Sequence, residues 1–212
     1  MRHIWGALAV FATGGASMAC PVAGDLTRGI EITFNDGHSS VYTQDANGVL
    51  TEKEVQPDGA SFNYVTDNGV LETAYYELDS VDGDPQGWEG FRYSFDVGAI
   101  VPLAPWSGQS GYQIALDPNG AEIDKVLFGY RTRAETELKI GDCHYAAIPL
   151  ETYYGNGDEG FRSVNFMYLK DLGVPVTTSF ADSSGFDAWE PEVIRVLEDE
   201  VAAGDPRKNK RD

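Results

Sequence analysis

The chain has 212 residues, 42% hydrophobic and 12% aromatic, enough to bury a sizeable core and too much for a compositionally disordered protein. Fifteen Lys and Arg stand against 34 Asp and Glu, a net charge of −19. A surface this acidic repels phosphate backbones and anionic headgroups, which excludes nucleic acid as a partner.

The first nineteen positions carry one charged side chain, Arg2. An apolar run from Ile4 to Ala12 follows, then the small residues around Ser17-Met18-Ala19, just before Cys20. Basic flank, short apolar run and small-x-small site are the three parts of an export signal, so residues 1–19 are expected to be a signal peptide. The run is far short of the roughly 20 residues a spanning helix needs. No later stretch is apolar enough, and no integral membrane segment is expected after cleavage. The expected location is periplasmic or secreted. Residues 20–204 then read as one domain, with 205–212 as a disordered charged tail.

Cys20 and Cys143 are the only cysteines. Export places both in an oxidising compartment, where a Cys20–Cys143 disulfide is the preferred reading. The alternative is a lipid anchor on Cys20. Ser17-Met18-Ala19 lacks the leucine such a signal uses, and Cys143 would be left as a lone exported thiol.

From Gly29 to Phe180 apolar residues recur with period two between turn residues. Ile30, Ile32 and Phe34 run into Asn35-Asp36-Gly37, and Phe62 and Tyr64 lie between Asp58-Gly59 and Asn68-Gly69. Phe91, Tyr93 and Phe95 share a face, Tyr112, Ile114 and Leu116 lead into Asp117-Pro118-Asn119-Gly120, and Val164, Phe166 and Tyr168 repeat the alternation. Val174 to Phe180 reads as a last strand. Such runs separated by Asn-Gly and Asp-Gly are a hairpin signature. Asp36-Gly37/Asn47-Gly48-Val49-Leu50 and Asp58-Gly59/Asn68-Gly69-Val70-Leu71 form a short internal repeat. The predicted fold is all-β: an antiparallel meander of ten to twelve strands, curled into a half-barrel or partly open barrel. Residues 79–90 and 98–111 read as loops interrupting it.

One C-terminal α-helix is predicted. Pro191 suits a first helical position, Trp189, Val193, Val196, Leu197 and Val201 recur at helical spacing, and Gly204 ends the pattern. Such a helix would be a lid or plug over the sheet.

No nucleophile elbow, phosphate loop, dinucleotide fingerprint or zinc-protease motif is present. His38 beside a turn reads as a solvated residue. His144, inside an apparent strand, reads as a partly buried and hydrogen-bonded one. Asp79, Asp82 and Asp84 do not reproduce the ligand spacing of a calcium loop, and Asn156-Gly157-Asp158-Glu159-Gly160 reads as a turn. No catalytic residue, metal site or cofactor is assigned. Tyr75-Tyr76 and Tyr153-Tyr154 must straddle both faces of their strands, so one of each pair points outward or into a cavity.

Gly129-Tyr130, Glu135-Thr136-Glu137-Leu138, Ile140-Gly141-Asp142-Cys143-His144-Tyr145 and Tyr168-Leu169 before Leu172-Gly173-Val174 occur in an order that resembles uncharacterised exported β-meander proteins of Gram-negative bacteria. Those are similar to the half-barrel of periplasmic lipoprotein carriers. The resemblance covers roughly residues 99–180. Cys143 departs from its usual aromatic or small residue, and Trp106 is shifted. It implies a fold and a compartment and brings no active residues. The leading expectation is a non-enzymatic periplasmic domain binding an apolar small molecule, a lipid or an envelope partner on a curved sheet. The alternatives are a fully packed interaction module and a hydrolase of unidentified mechanism.

Overall fold

The structure, a computed structural model, describes residues 19–66, 69–78, 85–95, 103–156 and 160–198. The expected signal peptide, the aspartates at 79, 82 and 84, Val201 and the charged tail lie outside the described residues. After a 3-10 turn at Ala23–Thr27, the strands are β1 Ile30–Phe34, β2 Ser39–Gln44, β3 Leu50–Val55, β4 Ser61–Thr66, β5 Glu72–Leu78, β6 Pro85–Tyr93 and β7 Gly108–Leu116. They continue with β8 Glu122–Thr132, β9 Thr136–Ile140, β10 Cys143–Asn156, β11 Gly160–Leu169, β12 Val174–Ala181, β13 Phe186–Ala188 and β14 Pro191–Val196.

All fourteen strands belong to one antiparallel sheet, in which neighbours in sequence are mostly neighbours in space from β1 to β12. The hairpin residues explain why. Gly37, Gly48, Gly59 and Gly120 all have φ between 82° and 92°, which a side chain would oppose. Asp45 and Asp117 each accept backbone N–H bonds from residues two and four further on, fixing their turns. The internal repeat corresponds to the successive connections from β1 to β5, in the last of which Asn68 lies outside the described residues. Two expected loops are partly strand: Pro85–Gly90 belongs to β6, and Gly108–Gly111 opens the interior strand β7. Glycine permits this, since a Cβ on Gly108 would meet the Tyr130 carbonyl oxygen at 2.8 Å.

The expected C-terminal helix is not there; Pro191–Val196 is strand β14, paired with β1 through Ile30↔Val196 and Ile32↔Ile194. Among the described residues the 3-10 turn is the one helical segment. The physical reason lies in the β-branched run Val193-Ile194-Arg195-Val196 and in the open edge of β1. Ile194 packs against the core while Val193 is half exposed, and Arg195 pairs with Glu31 across the ladder. Backbone pairing with β1 outweighs a helix that is marginal alone in water.

β13 and β14 sit at opposite ends of the strand order, yet only Trp189 and Glu190 separate them. Trp189 N–H donates to the Thr178 carbonyl on β12 (2.8 Å), and Asn35 N–H, beside β1, donates to the Glu190 carbonyl (3.0 Å). The ladder is not closed, but this crossing draws its two edges together. The sheet therefore curls around an interior.

Two apolar clusters fill much of that curl. Ile30, Ile32, Phe34 and Tyr42 pack with Ile140, Cys143, Tyr145, Ala147, Leu169, Val174 and Val176. Alternate residues of the later strands, Ile148, Leu150 and Tyr168, join Phe128, Tyr130, Tyr93, Val70 and Leu71 in the other. Ala147-Ile148 of β10 and Tyr168-Leu169 of β11 are thus buried on both faces of the sheet. Cys20 and Cys143 form the expected disulfide, with Cα atoms 5.5 Å apart.

Candidate functional site

Between the clusters lies a cavity of about 530 Å³. Cross-strand register builds its walls. Tyr42, Glu52, Tyr64, Tyr75 and Glu89 stand in one row across β2 to β6, each directly opposite the next. A parallel row pairs Ser40 with Glu54, and Thr66 pairs with Glu72. The opposite wall is apolar: Val164, Phe166, Phe180, Pro175 and Tyr154, with Phe91 and Val126 beside them. One side of the cavity is therefore acidic and phenolic, the other aromatic and aliphatic.

The acids are held out of bulk water. Glu52 Oε1 accepts a hydrogen bond from Ser40 Oγ at 2.6 Å and lies 2.9 Å from the Tyr42 hydroxyl. Burial pushes the Glu52 carboxyl up to about 8, with the Ser40 and Tyr42 hydrogen bonds opposing and Glu54 adding to the rise. Tyr42 itself is fully buried and lies 2.7 Å from the Pro175 carbonyl, which can only accept. Its single hydroxyl hydrogen is shared between that carbonyl and Glu52 Oε1. Glu54 is raised by burial, held back by the His38 charge. The Glu72 carboxyl is raised to about 7 by burial, with Arg162 opposing, and takes no side-chain hydrogen bond among the described residues. Burial likewise raises the Tyr64, Tyr75 and Tyr154 phenols, so all three remain neutral donors.

Lys125 and Arg162 also line the cavity. Lys125 Nζ lies 4.1 Å from the centre of the half-exposed Tyr112 ring, on the outer face. The Arg162 guanidinium lies over Tyr154, 5.0 Å from its centroid. Among the described residues, no ion pair involves Glu52, Glu54 or Glu72.

His38 is not the solvated turn residue expected from its place beside Gly37. It is 4% exposed and stacks on Phe34 at 4.0 Å. Its Nδ1 lies 2.5 Å from Asp36 Oδ1, and its ring meets the edge of Trp189. An Asp–His pair of this kind can orient a general base, but the nearby Ser40 hydroxyl donates to Glu52. His144 is hydrogen-bonded to Glu137 at 2.9 Å as expected, yet its side chain is mostly exposed. The tyrosine pairs split as their spacing requires: Tyr75 and Tyr154 line the cavity, whereas Tyr153 lies over Gly129.

The four residues of the expected lid are dispersed by the strand. Trp189 borders the cavity from the crossing segment, Val193 is exposed, and Val196 and Leu197 are half-buried along β1. Among the described residues no group of three His, Cys, Asp or Glu side chains is placed to hold a metal ion. Glu52, Glu54 and Glu72 were not legible as site residues, because Thr51-Glu52-Lys53-Glu54-Val55 reads as a solvent-facing strand. The available signal was parity: Leu50, Glu52 and Glu54 share a face. No family model, curated protein or solved structure matches the chain.

Proposed function

We propose that this chain is an exported, non-enzymatic binding protein that holds a small organic molecule inside its curled sheet. The observation that carries the reading is the cavity of about 530 Å³, within the ~300–1,000 Å³ range of small-molecule sites and walled by aromatic side chains on rigid strands. A fully packed interaction module would leave no such space. A hydrolase would need a nucleophile aligned on His38, and the Ser40 hydroxyl is directed to Glu52. The disulfide is in keeping with an oxidising compartment, as is the export-like N-terminal pattern. Among the described residues no helix is long and apolar enough to cross a membrane. The resemblance to half-barrel carriers points the same way.

The test is titration with N-phenyl-1-naphthylamine, a neutral apolar dye that fluoresces in dry pockets. Saturable enhancement is expected, and Ala115→Trp or Val164→Trp, each filling the cavity from one wall, should abolish it. A wild-type protein without enhancement, or an Ala115→Trp protein that is still folded and binds the dye equally well, would remove the reading.

A further inference from the structure

We infer that the cavity selects an organic cation, an amine or quaternary ammonium carried on an apolar body; this rests on the binding function proposed above and adds the chemistry of the ligand. Carboxyl side chains converge on one partly open cavity, Glu52, Glu54 and Glu72 from β3 and β5, with Glu89 and Asp124 also in its lining. A buried acid without a paired cation is costly to fold around, because desolvating its charged form is not repaid. Two basic residues border the cavity without pairing with these acids: Lys125 lies over the half-exposed Tyr112 ring, and Arg162 lies over the cavity-lining Tyr154. Among the described residues the carboxyls that line the cavity outnumber its cations and no ion pair involves Glu52, Glu54 or Glu72, and a cationic guest would supply the missing charge.

The remaining walls fit the same guest. Tyr64, Tyr75, Tyr154, Phe91, Phe166 and Trp189 present aromatic surface to the cavity. Ring faces attract ammonium groups, more strongly where water is excluded. The neutral phenols add oxygen acceptors. A bare metal ion does not fit: no three ligating groups converge among the described residues, and the volume far exceeds an ion. An anionic guest would meet the acidic wall, and a wholly apolar one would leave the three carboxyls desolvated for nothing. Charge on one wall and apolar rings on the other call for a molecule with a cationic end and a hydrophobic body.

The experiment compares two guests of one shape in the full-length protein. Each displaces N-phenyl-1-naphthylamine: 4-phenylbutyltrimethylammonium, and its neutral analogue in which carbon replaces the ammonium nitrogen. The cation is expected to bind at least tenfold more tightly. In Glu52→Gln/Glu72→Gln that preference should collapse toward one, and Glu54→Gln alone should narrow it by several-fold, each variant's folding being checked by its melting curve. If the dye and the neutral analogue bind and the cation shows no advantage in the wild-type protein, the cation assignment falls while the binding function stands. If none of the three binds, both fall. A preference that survives all the Glu→Gln changes would mean another group carries the selectivity, and would overturn the role given to these acids.

Discussion

Glu52 is the residue on which the interior turns. Its raised carboxyl makes the folded protein bind a proton that the unfolded chain, with an ordinary value of 4.5, gives up. Between about pH 4.5 and 8 the native state holds more protons, so this group's contribution to stability falls as pH rises and levels off above 8. Glu72 acts in the same direction up to about 7. The turn aspartates work oppositely. Asp45 and Asp117 are held below the usual carboxylate range by backbone N–H bonds from Val49 and Ala121, so they stabilise above the unfolded value and lose that stabilisation as pH drops. Stability should therefore peak near pH 4–5, where the acidic turns are ionised and the interior acids are protonated. Glu52→Gln, which keeps the shape and removes the charge, should raise stability at pH 8 by on the order of 2 kcal/mol and flatten the decline between pH 4.5 and 8. Urea midpoints measured across that range check it; a Glu52→Gln curve that stays parallel to wild type would show that Glu52 is not the buried acid responsible.

At the scale of elements, the meander was readable because turns announce themselves. Asp36-Gly37, Asn47-Gly48, Asp58-Gly59 and Asn119-Gly120 each became the tight connection their chemistry requires. The C-terminal segment was not, since Trp189, Val193, Val196 and Leu197 satisfy a helical period while Ile194 and Val196 satisfy a strand's. Six residues are too few for periodicity to choose between them; the free edge of β1 chooses. The two readings exchange which residue is buried, and that makes them separable. With β14 as a strand, Ile194→Ala removes core packing and should cost about 1–3 kcal/mol. Val193→Ala, at a half-exposed position, should change stability by no more than about 0.5 kcal/mol. Denaturant curves of the two variants check the order, and a larger loss at Val193 would restore the helix. Removing residues 191–212 should do more than lower the melting temperature. It would leave β1 with an unpaired edge carrying Ile30, Ile32 and Phe34, and light scattering should then report association of copies through that edge.

At the scale of the whole molecule, alternation gives the face of each residue but not how far the faces curl or whether they meet. A filled barrel and a hollow one have the same period-two pattern, so neither the cavity nor the crossing at Trp189-Glu190 could be read from the residues alone. The long-range tie was legible as the preferred reading, because the chain has two cysteines and each is the other's one possible disulfide partner. That tie joins residues 123 positions apart and anchors the start of the described chain to β10, where Tyr145 donates to the Pro21 carbonyl at 3.2 Å and Leu26 is buried. Closing so long a loop removes conformational entropy from the unfolded chain, by about 4–5 kcal/mol in the chain-entropy treatment. Cys20→Ser/Cys143→Ser should therefore unfold at a markedly lower urea concentration than the oxidised protein. Cys143 belongs to the cluster around Ile32 and Phe34, away from the acids that face the cavity. Below its own transition the variant should still enhance N-phenyl-1-naphthylamine fluorescence to the wild-type extent. A variant with an unshifted midpoint would mean that the unfolded chain gains no freedom when the bond is removed. One that loses dye binding while still folded would mean that the disulfide shapes the cavity as well as stabilising the fold.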